Sequence, residues 1–248
     1  MRKEDFVFGI RPVIEAIKAG KEIEKILVQQ GTKGPLMSEL QGFLKSRSIP
    51  FQYVPRAKLN QFTRANHQGV IALVSPVPFQ PIEQIIPALF ETGKDPFIVI
   101  LDQISDVRNF GAIARTANCA GVDAIIIPTK GSARINSFAQ KASAGALNLI
   151  PIHRTENLPS TIRFLKESGL QIIAATEKAD QVYYEASFEK PMALILGAEE
   201  KGIPSEHLKL ADAMIKIPII GQIESLNVSV AAGIIIFEAL KQRTVRKK

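Results

Sequence analysis

The rhythm of apolar and polar positions changes near residue 97. Before it, apolar residues are spaced for amphipathic helices and short strands. Ile10, Val13, Ile14 and Ile17 share one helical face, which predicts a helix over 9–20 closed by Gly20. A strand is expected over 23–28. A second helix is expected over 35–45, with Leu36, Leu40, Phe43 and Leu44 inward and Pro35 near its first position. A strand over 51–54, a short helix near 56–62 and a strand over 69–74 complete a small α/β unit, residues 1–76. Pro76, Pro78, Pro81, Pro87 and Pro96 then crowd a segment that reads as a linker, 77–96, with a candidate helix over 82–90.

From Phe97 the apolar residues form short unbroken runs: 97–101, 124–127, 149–152, 171–176, 192–196 and 214–217. Runs this apolar predict strands covered on both faces, as in a parallel sheet. Helices are expected near 110–120, 137–145, 158–168 and 203–210, with a last one from about 228 to 243. The segment 97–248 therefore reads as one open α/β domain. No apolar run approaches the roughly 20 residues that span a bilayer. Within the last helix, Val230, Ile234, Ile235 and Phe237 read chiefly as core, with part of that face available to a second copy.

Charge refines this division. The net charge is +7 and the pI near 9.5, which favours a polyanionic partner. Residues 1–76 hold 12 Lys/Arg against 6 Asp/Glu, whereas 77–248 hold 19 against 18. A basic module thus precedes a nearly neutral one. Lys33, Arg47, Arg56, Lys58, Arg64, Asn66 and His67 fall in its predicted loops, and such groups contact phosphate without reading bases. A solubility surplus is the alternative. Cys119 is the single cysteine and reads as a core thiol on a helix of small residues. His67, His153 and His207 are scattered without metal-ligand spacing, so no metal is expected. His153 reads as structural, and His67 as structural or as an RNA contact. The first residues lack the apolar stretch of a secretory signal, which predicts a cytoplasmic protein.

Three polar stretches follow three of the predicted strands. The first is Asp102 to Ala117, in which Asn109 sits where a helix begins. Arg115 lies six residues on, close to two turns, so both can line one edge of that helix. A plain cap and a surface ion pair are the alternatives. The second is Gly197-Ala198-Glu199-Glu200-Lys201-Gly202, where Gly197 permits close backbone approach. The third is Gly221 to Asn227, a polar loop in which Ser225 or Asn227 can cap the last helix. Loops beyond the carboxyl ends of parallel strands are where open α/β sheets bind ligands.

Taken together, Asn109-x5-Arg115, Gly197-Ala198-Glu199-x2-Gly202 and Ile217-Pro218…Ser225-Leu226-Asn227-Val228-Ser229-Val230-Ala231 resemble the three motifs of the SpoU (TrmH) family. That family is the RNA 2′-O-ribose methyltransferase branch of the SPOUT superfamily. At the front, Phe8-Gly9…Val13-x-Glu15-Ala16 and Asn66-His67-Gln68-Gly69-Val70 resemble the ribosomal-protein-like (L30e-like) substrate domain of its RlmB-like group. That group methylates a guanosine of large-subunit (23S) rRNA. Ser132-Ala133-Arg134-Ile135-Asn136, Lys141 and Gly145 fit the same group. The resemblance implies a SPOUT-type open parallel sheet with a C-terminal trefoil knot and a homodimer. It also implies S-adenosylmethionine held at Thr176, Gly197, Ile217 and Leu226. A Gly-x-Gly-x-x-Gly after the first strand of this domain is missing, in keeping with a cofactor not bound as in a Rossmann domain. The resemblance puts Arg115 at the ribose 2′-hydroxyl, with Asn109, Glu199, Ser225 and Asn227 completing the catalytic set. The alternatives are the same chemistry on tRNA or at a resistance site in rRNA, and a non-catalytic RNA-binding protein.

Overall fold

The computed structural model describes residues 5–47 and 49–245 and divides into two compact units. The first comprises residues up to Pro78 together with Ile135–Ser137, and the second comprises Phe79–Arg134 and Phe138 onward.

The first unit contains β1 (Phe6–Phe8), α1 (Ile10–Lys18), β2 (Ile23–Gln29), α2 (Pro35–Ser46), β3 (Phe51–Val54), α3 (Arg56–Asn60) and β4 (Val70–Val74). Its sheet runs β1-β4-β2-β3. The β1–β4 and β2–β4 pairs are antiparallel, and β2–β3 is parallel. One face of the sheet is sealed by Val13, Ile14 and Ile17 of α1 and by Met37, Leu40 and Leu44 of α2. Each side chain of this size contributes roughly 1.5–3 kcal/mol on full burial. The sequence pattern misses β1, a three-residue strand too short to show alternation. Two buried carboxylates serve the Ile135–Ser137 segment. Glu24 accepts the Ile135 N–H at 3.1 Å, and Asp5 accepts the Ser137 N–H at 3.0 Å.

The second unit holds α4 (Ile82–Glu91), β5 (Phe97–Asp102), α5 (Val107–Cys119), β6 (Ala124–Pro128), α6 (Ser137–Ala142, its first residue grouped with the first unit), β7 (Ile152–Thr155), α7 (Leu158–Glu167), β8 (Gln171–Ala175), β9 (Gln181–Val182), β10 (Met192–Gly197), α8 (Ser205–Leu208), β11 (Ala213–Lys216) and α9 (Val228–Val245). Seven strands form one sheet in the order β7-β6-β5-β10-β8-β11-β9, with every recorded pairing parallel. The unbroken apolar runs follow from this arrangement: β5 is buried at all six positions and β10 at five of six. The proline-rich segment that reads as a linker holds α4, whose Ile82 and Ile86 are buried in a cluster with Ile98, Ile100 and Ile162. Pro81 precedes the first turn and lacks only an N–H that the helix cannot use, whereas Pro87 in the interior gives up one i→i−4 hydrogen bond.

Three further expectations need correction. The run over 149–152 does not form a strand: Leu149 is 73% exposed, and β7 begins at Ile152, where pairing with Ile125 of β6 starts. Cys119 is exposed, not a core thiol. The buried stripe of α5 is Phe110, Gly111, Ile113, Ala114 and Ala117, and two residues beyond Ala117 the helix has turned by about 200°. On α9 the buried stripe is Val228, Ala232, Ile235, Ile236 and Ala239, while Val230 and Phe237 are about half exposed. The helix thus carries a second apolar stripe of Val230, Ile234 and Phe237, at i, i+4 and i+7.

His207 of α8 and Asp102 at the end of β5 form a buried pair, Nδ1 to Oδ2, 2.5 Å apart. Burial pushes the Asp102 carboxyl above its usual range, and the bond from His207 counters it. His67 is buried too. Its Nδ1 accepts the Gly69 N–H at 3.0 Å, so the ring proton sits on Nε2 and is donated to Asn60 Oδ1 at 3.0 Å. Burial, and secondarily the Arg56 charge, depress its pKa below the ordinary 6.5. The unfolded chain therefore binds the proton first as pH falls. Stability from neutral His67 is present above pH 6.5 and is lost as pH drops toward the native value. The urea midpoint of the wild type should fall more between about pH 8 and pH 5.5 than that of His67→Gln. An equal fall in both would show that His67 carries no such linkage.

Candidate active site

Parallel strands put all their carboxyl ends at one edge of the sheet. The loops leaving β5, β8, β10 and β11 therefore meet there, although they come from residues more than a hundred apart. Gly197 ends β10 in register with Asp102 of β5. The chain then turns back on itself, with Gly202 N–H donating to Ala198 O at 2.8 Å. A Cβ at Gly197 would lie 2.4 Å from the Gly202 carbonyl carbon and 2.6 Å from Ile203 N. Only glycine allows the strand end and the turn to approach this closely.

The turn presents Glu199, whose Oε1 accepts three hydrogen bonds. Asn109 Nδ2 donates at 3.2 Å, Asn227 Nδ2 at 2.6 Å and the Val228 backbone N–H at 3.1 Å. Asn227 Nδ2 also lies 3.1 Å from Asn109 Oδ1. The result is a closed triangle of Asn109, Glu199 and Asn227, drawn from the first, second and third motif stretches. The helix starts that feed it are themselves capped. Asp106 accepts from Arg108 N at 2.6 Å and Asn109 N at 3.1 Å, and these bonds hold its carboxyl below the usual range. Asn227 Oδ1 caps α9 by accepting the Ser229 N–H at 3.0 Å. Glu199 takes the preceding N–H, that of Val228 and the first of the same helix, where the aligned peptide dipoles favour an anion. The cap of α5 is thus Asp106, and Asn109 stands in the first turn as a partner of Glu199.

Two cavities adjoin the triangle. The first, of about 460 Å³, is lined by Thr176, Gly197, Ile217, Ser225 and Leu226, with Glu177, Ile219 and Glu224 added by the structure. The second, of about 360 Å³, is lined by Gln103, Ser105, Asp106, Asn109 and Gly131. Glu199 belongs to both walls. All four residues expected to hold a cofactor therefore share one cavity. Of the expected catalytic set, Asn109, Glu199 and Asn227 are bonded together and Ser225 lines the cavity beside them. Arg115 is the exception: it is exposed on α5, lines neither cavity and makes no side-chain hydrogen bond or ion pair among the described residues. Six residues at about 100° each amount to 600°, so Arg115 points about 120° away from Asn109 and not along the same edge. The sequence reading did not single out Asp106 or Gln103. An Asp immediately ahead of a helix start was a readable cap signal, whereas Gln103 carries no signal apart from its place after β5.

Residues 96–237 match the family described as the SpoU rRNA Methylase family, and residues 6–80 match the family described as RNA 2′-O ribose methyltransferase substrate binding. The chain is 33% identical to a putative TrmH family tRNA/rRNA methyltransferase, YacO, of Bacillus subtilis, over 98% of this chain and 97% of that protein. It is 36% identical to the 23S rRNA (guanosine-2′-O-)-methyltransferase RlmB of Photorhabdus laumondii, over 97% and 99% respectively. Among solved structures, the AdoMet-bound rRNA methyltransferase from Sinorhizobium meliloti aligns with a TM-score of 0.62 at 28% identity, covering 95% of this chain and 86% of that one.

Because Glu199 Oε1 gathers three donors, Glu199→Ala should lower the melting temperature by about 2–6 °C, from roughly 1 kcal/mol for each lost bond partly recovered by water. Glu199→Gln retains an acceptor oxygen and should cost less than about 2 °C. Thermal unfolding of both variants checks this; equal melting temperatures for the wild type and Glu199→Ala would mean that the triangle holds nothing.

Proposed function

This chain belongs to the SpoU rRNA methylase family, and we propose from that premise that it methylates a ribose 2′-hydroxyl in RNA using S-adenosylmethionine. The observation that carries the reading is the Asn109–Glu199–Asn227 triangle set between two cavities. The larger cavity fits the cofactor in kind. Aliphatic walls from Ile217, Leu226 and Ile235 suit the adenine and carbon chain, Thr176 offers a hydroxyl, and Glu177, Glu199 and Glu224 suit a cationic ligand. When bound, the cofactor supplies a methyl group already activated on a sulfonium.

The protein's own task is to seat the ribose oxygen and accommodate its lost proton. Asn109 and Glu199 line the smaller cavity and orient the sugar; Glu199 Oε1 is held by three donors, so the carboxylate keeps one direction. Ser225 and Asn227 fix the loop that closes the cofactor cavity. Arg115 acts on the 2′-oxygen as an electrostatic stabiliser, since a guanidinium does not deprotonate in proteins. It reaches a site through pairing of two copies. The second apolar stripe of α9, in which Val230 and Phe237 are exposed and Ile234 partly so, lies on the helix packed against α5 and supports such a homodimer. Threading of the loops after β10 and β11 into a trefoil knot, and a cytoplasmic location, belong to the same reading.

The preferred substrate is a guanosine of 23S rRNA, on the strength of the relative so named and of the basic first unit. Mass-spectrometric mapping of ribose methylation in rRNA and tRNA from cells with and without the protein tests this. A missing 2′-O-methyl group in 23S rRNA is the expected result. A missing tRNA methyl group, a site associated with resistance, or no change at all would each replace the reading. Arg115→Ala should lose at least about 100-fold in turnover while binding S-adenosylmethionine as the wild type does, checked by calorimetry beside a methyl-transfer assay. Gly197→Ala should lose cofactor binding itself, because its Cβ cannot coexist with the Gly202–Ile203 backbone.

A further inference from the structure

The first unit carries a cavity of its own, of about 590 Å³, within the usual span of roughly 300–1,000 Å³ for ligand pockets. Arg56, Asn60, Arg64, Ala65, Asn66 and His67 are among its lining residues, and no acidic residue lines it. The hydrogen bonds around it fix which atoms remain available. His67 Nε2–H needs an acceptor, so Asn60 must turn Oδ1 toward the ring, and both hydrogens of Nδ2 are left over. Asn66 Oδ1 accepts the Gln68 N–H at 3.3 Å, which leaves its amide hydrogens free as well. Among the described residues neither Arg56 nor Arg64 has an ion-pair or hydrogen-bond partner, and both are exposed.

The cavity thus offers two guanidinium groups and two amides whose NH2 groups are free to donate. Its floor is firm. Gln68 and Gly69 both take positive φ values, 50° and 77°, and a Cβ on Gly69 would lie 2.6 Å from Thr32 Oγ1. Gln68 Oε1 is held by the Ile10 N–H at 3.1 Å, which anchors the loop to the start of α1. A rigid, concave, donor-rich surface without carboxylates is built for an anion with several acceptor oxygens.

We infer that this cavity receives an unpaired nucleotide of the RNA substrate, with Arg56 and Arg64 on its phosphate and the free amides of Asn60 and Asn66 on its sugar or base edge. This rests on the reading that the substrate is RNA, and assigns the first unit a docking point apart from the methyl-transfer cavities. A concave site selects a nucleotide splayed out of a helix, because the backbone of a duplex cannot enter it.

The test uses the full-length protein and a labelled single-stranded RNA of about 12 mixed nucleotides, with a duplex of equal length as comparison. Fluorescence anisotropy is read between about 50 and 300 mM salt. The double variant R56A/R64A should weaken single-strand binding about tenfold or more. Its salt slope should fall by about 0.7, the value for the one phosphate of a single strand that the protein no longer neutralises. A65W keeps every charge and fills the cavity, and it should weaken single-strand binding while leaving duplex binding unchanged. All these side chains are exposed, so circular dichroism and S-adenosylmethionine binding should match the wild type. Unchanged single-strand affinity in A65W, or equal losses for single strand and duplex in R56A/R64A, overturns the inference. Methyl transfer to bulk rRNA by the wild type is measured alongside. If the wild type transfers methyl groups and the variants bind normally, the docking point alone fails. If the wild type transfers none, the functional reading fails instead, and the anisotropy still reports on the cavity.

Discussion

One carboxylate oxygen organises the edge of the larger sheet. Glu199 Oε1 takes an N–H from the first turn of α5, an amide N–H from the cap of α9 and the first backbone N–H of α9 itself. Two helices that begin 121 residues apart, at Val107 and Val228, are thereby tied to the turn after β10. Helix starts hold backbone donors with no partner inside the helix; Glu199 satisfies one of these on α9, while on α5 Asp106 takes them and Glu199 binds the Asn109 side chain. Without it, only the Asn227–Asn109 bond and the packing of α9 on α5 would relate the loop after β11 to the loop after β5. The two cavities on either side of Glu199 would then lose the wall they share.

The sheet makes that tie possible. Its parallel pairing sends every connecting loop to one edge, and β10 sits between β5 and β8 so that the Gly197–Gly202 turn emerges at the middle. Beneath the turn, the buried Asp102–His207 pair joins the end of β5 to α8 through Oδ2, while Asp102 Oδ1 is buried without a hydrogen-bond partner. The first unit follows a different plan, with a mixed four-stranded sheet and its polar cavity at loops rather than at a shared carboxyl edge.

Much of this was legible in the residues, for identifiable reasons. The buried strands announce themselves because a parallel sheet leaves no solvent face to require polar alternation. Asn109, Glu199 and Asn227 were legible because each sits in a polar interruption between a strand and a helix. Their mutual bonding was not, since nothing local fixes distances between loops 90 and 28 residues apart. Angular facts were also poorly read. Arg115 and Cys119 were placed by counting turns and by composition, yet a helix advances about 100° per residue and so small miscounts move a side chain to another face. Leu149 misled for a related reason: hydrophobicity marks what prefers burial, while a strand starts only where a neighbour offers its backbone. The strand β1 left no pattern at all, being held by its pairing with β4 and not by its own three residues.

The strand order has a kinetic consequence. The slot between β5 and β8 is filled by β10, which the ribosome makes some 95 residues after β5 and 20 after β8, and the pocket is closed only by α9 at the far end of the chain. Contacts so remote in sequence pay their loop-closure entropy late, and such topologies fold slowly. During synthesis β5 and β8 must therefore wait with exposed apolar edges, while the first unit has every strand of its own sheet within the first 74 residues. The nascent chain thus has a completed front sheet long before the edge that carries Glu199 is assembled.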